Sequence, residues 1–241
     1  MPTPSRKDAK KPKRPEIYYE ALHRLQLERY ARLIDEAFDA AVREAVAIVV
    51  TLPRVTLSEE KPFTFADLPA SKRRVSQLMG DLKKRMQGII EGGIIAEWKL
   101  ANNKSDDLVA QVFGDKAKRL PKDIKKRYLS NNDDARTAFL QRKVAGLNLS
   151  EKVWKYAEQF KAEIEMGLDV GIRSGLDAGQ LARSLQGFLR EPTQLFRRVR
   201  DQHGVLQLSK RAAAYHPGQG VYRSSHKNAR RLAVTETNIA Y

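Results

Sequence analysis

Residues 17–50 read IYYEALHRLQLERYARLIDEAFDAAVREAVAIVV, with no glycine or proline in the run. Tyr18, Leu22, Leu25, Tyr30, Leu33, Ile34, Phe38, Ala41, Val42, Ala45 and Ile48 recur at intervals of three and four. At about 3.6 residues per turn that spacing lays one apolar stripe along a helix. It predicts a single long amphipathic helix over 17–50, ended by Pro53, whose ring cannot continue one. The stretch 53–69 then reads as a connector with a short extended piece at Arg54–Leu57. A second long helix over 71–100 is expected, capped by Ser71, with a stripe of Val75, Leu78, Met79, Leu82, Met86, Ile89, Ile90, Ile94 and Trp98. Gly88, Gly92 and Gly93 lie inside it. Each costs about 1 kcal/mol relative to Ala in a helix interior, so they signal a close helix crossing or a break.

Outward from these two helices the pattern stays helical. One or two short basic helices are expected after Asn102-Asn103, with Pro121 well placed at a helix start, followed by a short helix Ala135–Ala145 behind an Asn131-Asn132 cap. Ser150 is expected to cap a long helix whose buried stripe is Val153, Trp154, Ala157, Phe160, Ile164 and Leu168. Gly171 and Gly175 close it, Asp177 caps the next helix, which carries Leu181, Leu185 and Leu189, and Pro192 stops that one. A short helix Thr193–Asp201 ending at Gly204, a turn at His216-Pro-Gly-Gln-Gly220 and a last helix from Ser224 or Ser225 complete the reading. That helix is still running at Tyr241, which predicts that the chain continues, with room for a catalytic or toxin domain. The fold class is all-α: a basic flexible arm at 1–15, an N-terminal helical region at 16–148, and a second helical domain at 149–241 with a loop-rich insertion.

The chain has 241 residues, a formal net charge of +16 and no cysteine. It therefore has no disulfide framework, thiolate nucleophile or cysteine-based zinc site. Its longest apolar run, Ala45–Leu52, falls far short of the roughly 20 residues that cross a bilayer, so a soluble cytoplasmic protein without a membrane partner is expected. The positive charge lies in three blocks. Residues 1–15 hold six basic residues against one Asp, residues 69–130 fifteen against seven, and residues 190–231 ten against two. Such blocks suit a polyanion, because each cation that neutralises a phosphate releases a counterion. Arg223, Lys227, Arg230 and Arg231 fall at offsets of 0, 4, 7 and 8, on one face of the last helix. Arg197, Arg198, Lys210 and Arg211 are further candidate DNA contacts, although Arg197, Arg198 and Arg200 within one helical turn would point in different directions. Tyr215 and Tyr222 lie near enough to stack on bases but sit beside a turn, where tyrosines more often pack. No paired Arg, Asn or Gln set marks a recognition helix, so base-specific readout is not expected.

From 149 onward the order is a Ser-capped helix, Gly-Leu-Asp-Val-Gly-Ile-Arg-Ser-Gly at 167–175, Asp-Ala-Gly-Gln-Leu-Ala-Arg at 177–183, a loop, and Asn-Ala-Arg-Arg-Leu-Ala-Val-Thr-Glu-Thr-Asn-Ile-Ala-Tyr at 228–241. This resembles the phage Mu F-like minor head protein family, also called the phage head morphogenesis domain. Thr235 and Glu236 fall on the family's Thr-Glu pair, while Val234 stands where the family usually has Arg; any pairing made by that Arg is absent here or has moved to Arg230 or Arg231. The resemblance implies a virion assembly protein of a phage or prophage. It would be present in few copies, bound to portal or capsid protein, located in the virion interior near the portal vertex and in host cytoplasm during assembly, and sometimes ejected with the genome. It implies no enzymatic activity for this domain. A non-viral DNA-binding structural protein and a metal-dependent nuclease are the competing readings. The nuclease would have to use Asp201, Glu236 and the histidines, yet His203, His216 and His226 show no ligand spacing, and no glycine-rich phosphate cradle is present. Neither a metal nor another cofactor is expected.

Overall fold

The first long helix, α1, runs Pro15–Val50 and the second, α2, Pro69–Phe113. The computed structural model describes residues 14–57, 61–190, 198–200, 203–208 and 224–241. The arm expected at 1–15 lies outside them as far as residue 13, and its last residue, Pro15, is the first of α1. Proline suits that position because the N–H it lacks would have no partner inside the helix. The all-α reading holds. α3 is Lys122–Tyr128, α4 Asp133–Gln141, α5 Leu149–Arg173, α6 Ala178–Arg190 and α7 Ser225–Ala240, and short 3-10 turns occupy Phe65–Asp67 and Gly114–Arg119. Among the described residues the only sheet is a pair of three-residue strands, β1 (Arg198–Arg200) and β2 (Leu206–Leu208).

Several boundaries differ from the sequence reading for local reasons. α2 begins at Pro69, so Ser71 sits in its first turn, buried, and caps nothing. It also continues without interruption through Asn102-Asn103. The cap of α5 is Asn148 rather than Ser150. The Asn148 side chain accepts from the Glu151 backbone N–H, and Glu151 Oε2 accepts from the Asn148 N–H, at 2.9 and 2.7 Å. That reciprocal pair satisfies two donors no intrahelical carbonyl can reach. α4 stops at Gln141, short of the expected Ala145, because Arg142 turns extended and Ala145 and Gly146 both take positive φ in a tight turn bridging Val144 and Leu147. The expected helix at 193–201 is replaced over 198–200 by β1, which pairs antiparallel with β2 in the register Arg198↔Leu208. Gly204, at φ +77, lies between the strands, and its left-handed backbone turns the chain back at no steric cost. Asp177 does cap α6: its Oδ1 accepts from the Gln180 N–H at 2.8 Å.

One buried cluster draws on both long helices and on α5, α6 and α7, so residues either side of 148 share a core. Its largest fully buried side chains are Phe38, Ile34 and Ile48 of α1, Phe63 and Phe65 between the long helices, Leu82, Met86, Ile90 and Ile94 of α2, Phe160 and Ile164 of α5, and Phe188 of α6. The connector is stitched on by carboxylates. Asp169 accepts from the Phe63 N–H and Glu165 from the Phe65 N–H, at 2.7 and 3.0 Å, with both phenyl rings buried. Trp154 departs from the expected stripe. It is 54% exposed, while Val153, Ala157, Phe160, Ile164 and Leu168 are buried.

The three glycines of α2 separate cleanly. A Cβ at Gly93 would lie 2.6 Å from Thr237 Cγ2 and 3.3 Å from Tyr30 Cε1, whereas one at Gly88 or Gly92 would meet nothing within 4 Å. Gly93 therefore marks the close crossing of α2 with α7. Gly93→Ala is expected to cost about 1–3 kcal/mol by overpacking, while Gly88→Ala and Gly92→Ala gain up to about 1 kcal/mol of helix propensity. Urea denaturation of the three variants checks this, and the same sign at all three positions would refute the crossing argument.

Candidate nucleic-acid interface

The clustered cations of the sequence reading depend on how α7 is seated. Ser224 caps it, its Oγ accepting from the Lys227 N–H at 3.3 Å. Glu163 of α5, 1% exposed, then accepts from the Ser225 N–H through Oε1 and from the Ser225 hydroxyl through Oε2, at 2.8 and 2.7 Å. A carboxylate at a helix N-terminus satisfies orphan donors and opposes the positive end of the helix dipole. Further along, Ala229, Leu232, Ala233 and Ala240 enter the core, and Thr237 donates its hydroxyl hydrogen bond back to the Ala233 carbonyl at 2.7 Å.

That seating fixes what faces outward. Lys227, Arg230 and Arg231 are all exposed, on the side of α7 opposite its buried residues. Arg230 reaches across to α1, its Nε 3.5 Å from Asp35 Oδ2, and His226 Nε2 lies 2.7 Å from Asp35 Oδ1 with its ring stacked on Phe38. Lys227 and Arg231 form no ion pair with another described residue. Arg223, Arg197, Lys210 and Arg211, together with Asp201, Tyr215, His216 and Tyr222, lie outside the described residues. Arg198 is placed by its backbone in β1, so it and Arg200 occupy alternate strand positions instead of one helical turn. His203 sits exposed in the turn between the strands.

The two residues of the Thr-Glu pair separate. Thr235 is exposed. Glu236 is 5% exposed, with Arg142 Nη2 donating to its Oε2 at 2.7 Å and Lys152 Nζ to its Oε1 at 3.1 Å. The carboxylate thus joins α7 to α5 and to the segment after α4.

Sequence reading missed a third polar point, where α7 meets α1 and α2. His23 Nδ1 lies 2.8 Å from Glu97 Oε2, and His23 Nε2 lies 3.0 Å from Asn238 Oδ1. Both His23 and Glu97 are buried, Glu97 completely. Burial pushes the Glu97 carboxyl above its ordinary value, against the opposing pull of His23. Tyr241 stacks flat on the imidazole at 4.0 Å and donates to Glu20 Oε1 at 3.2 Å. Lys104 holds Glu20 below the usual carboxylate range through the hydrogen bond it donates. A signal was present: His23 and Glu97 are polar residues in register with the apolar stripes of α1 and α2.

Among the described residues no group of three or more His, Asp or Glu is arranged to hold a metal ion, and no helix is long and apolar enough to cross a membrane. No family model, curated protein or solved structure matches the chain.

Proposed function

We propose that the chain is a minor head protein of a phage or prophage, acting in head morphogenesis near the portal and contacting packaged double-stranded DNA without sequence preference. The observation that carries the DNA part is the outward face of α7, where Lys227, Arg230 and Arg231 stand exposed on a helix anchored from below by Glu163, Glu236 and the His23 cluster. A rigid row of cations follows a line of phosphates, and phosphate contacts position a protein without reading sequence. The charge of +16 supplies the long-range attraction. The assembly role and the portal or capsid partner rest on the resemblance of residues 149–241 to the Mu F-like family. Within that reading Glu236 is a structural tie of the domain, and Arg230, which reaches Asp35 of α1, is the place to which any pairing made by the Arg that the family usually has where Val234 stands would have moved.

The test is the salt dependence of duplex binding. Each neutralised phosphate contributes about −0.9 to the slope of log K against log salt, so four contacts from Arg223, Lys227, Arg230 and Arg231 give about −3.6. Changing all four to Ala is expected to flatten the slope by about that amount, or by nearer 2.7 if Arg230 remains committed to Asp35. Fluorescence anisotropy with duplexes of unrelated sequence measures it. An unchanged slope would remove the DNA contact from this face and leave it to a protein partner or to solvent.

A further inference from the structure

The two tryptophans are treated differently by the fold. Trp98 packs beside Phe139 and donates its indole N–H to the Asn131 carbonyl at 2.9 Å. Trp154 is more than half exposed and has no hydrogen bond or ring contact with any described residue. It lines an open cavity of about 510 Å³ together with Lys83, Leu147, Ser150, Glu151 and Lys155, a volume within the range of small-ligand sites. The placement follows from how α2 and α5 pass each other. Ser150 donates its hydroxyl to Gln87 Oε1 at 3.5 Å, so one turn further along α5 and one turn back along α2 bring Trp154 and Lys83 to the same cavity. Lys155 follows Trp154 in sequence. Neither lysine pairs with another described residue, whereas the one acid present, Glu151, is already engaged in capping α5.

We propose that this cavity is a subsite for single-stranded nucleic acid, with a base stacked on the Trp154 indole and the adjoining phosphates held by Lys83 and Lys155. An aromatic platform between cations on two elements is the chemistry that binds unpaired bases, because every base offers a flat face and every link offers a phosphate. The alternative occupant is an acidic protein segment anchored on the tryptophan. The lining disfavours it: four of the six residues are polar or charged and Leu147 is the sole apolar companion, while a protein anchor is ordinarily set in a broader apolar, fully desolvated surround. The proposal does not rest on the α7 face, since a paired duplex presents no unstacked base to Trp154.

The test compares a labelled single-stranded dT oligomer of about ten nucleotides, within the usual site size, with an abasic oligomer of equal length and charge. The full chain is expected to bind the dT oligomer about 5- to 150-fold more tightly, the range one stacked base supplies. Trp154→Ala should bring dT affinity down to the abasic level, Trp154→Phe should keep part of the preference, and Lys83→Glu with Lys155→Glu should weaken both oligomers. Quenching of intrinsic tryptophan emission by dT, and less by the abasic chain, reads the same contact in the unsubstituted protein. Equal affinity for the two oligomers would overturn the proposal, as would a dT preference that survives Trp154→Ala. Quenching by a poly-glutamate peptide as strong as that by dT would assign the cavity to a protein partner instead. Trp154→Ala leaves the duplex salt slope unchanged, which keeps this outcome separate from that of the α7 test.

Discussion

Glu236→Ala is expected to destabilise the protein by about 3–5 kcal/mol, the usual cost of removing one member of a buried ion pair. The value should fall toward the low end, because the Arg142 and Lys152 side chains keep 27% and 17% of their surface exposed and can recover some hydration. The loss has two parts: two cations lose the carboxylate that compensates them, and α7 loses its tie to α5 and to the segment after α4. Glu236→Gln keeps the shape and one acceptor and should cost less. Thr235→Ala, one residue away but on the exposed side, should stay within about 0.5 kcal/mol. Urea denaturation of the three variants decides the matter. Similar midpoints for Thr235→Ala and Glu236→Ala would show that Glu236 does not tie these elements together.

The contrast between those neighbours shows what a linear reading can and cannot find. Apolar spacing located α1, α2, α5 and α6 and most of the core, because a stripe at three and four is a direct projection of helix geometry. It does not report where helices begin at Leu149 and Pro69, since a cap depends on which side chain reaches back to a free N–H, and Ser71 and Ser150 lie inside the first turn of their helices. The pair Asn148 and Glu151, three apart, carried the correct signal. Trp154 reads as part of the buried stripe of α5, but it lies next to Val153, about 100° round the helix from it, and stays exposed. At Arg198–Arg200 the strand is set by pairing with Leu206–Leu208 across a glycine turn, a non-local contact that helical spacing does not report. Of the candidate DNA face, the spacing correctly set Lys227, Arg230 and Arg231 together. It did not anticipate Asp35, which arrives from a helix nearly two hundred residues earlier.

The buried polar residues were the least legible part, and His23 with Glu97 yields the other large effect. His23→Ala should cost about 3–5 kcal/mol at neutral pH, because it takes from a fully buried carboxyl the larger of the two groups that offset its burial, leaving only Tyr30. The loss should also depend on pH, with a sign fixed by Glu97. Burial already raises that carboxyl above the ordinary 4.5, and the hydrogen bond and charge of His23 hold it down, so removing His23 lets it rise further. A carboxyl whose folded value is raised keeps its proton longer in the native state than in the unfolded chain. Its stabilising contribution is complete below the unfolded value near 4.5 and is lost as pH climbs through the raised native value. Adding Glu97→Gln in the His23→Ala background removes the ionisable group, so it should recover stability at pH 7 and much less at about pH 5, close to the unfolded value. Tyr30 of α1, which also favours the charged form of Glu97, and Asn238 of α7 are retained in both proteins, so the difference between them isolates the carboxyl. Equal recovery at the two pH values would mean that Glu97 does not change charge across this range. The cost of His23→Ala would then come from the packing and the Tyr241 stack that the imidazole makes, and not from a titrating carboxyl.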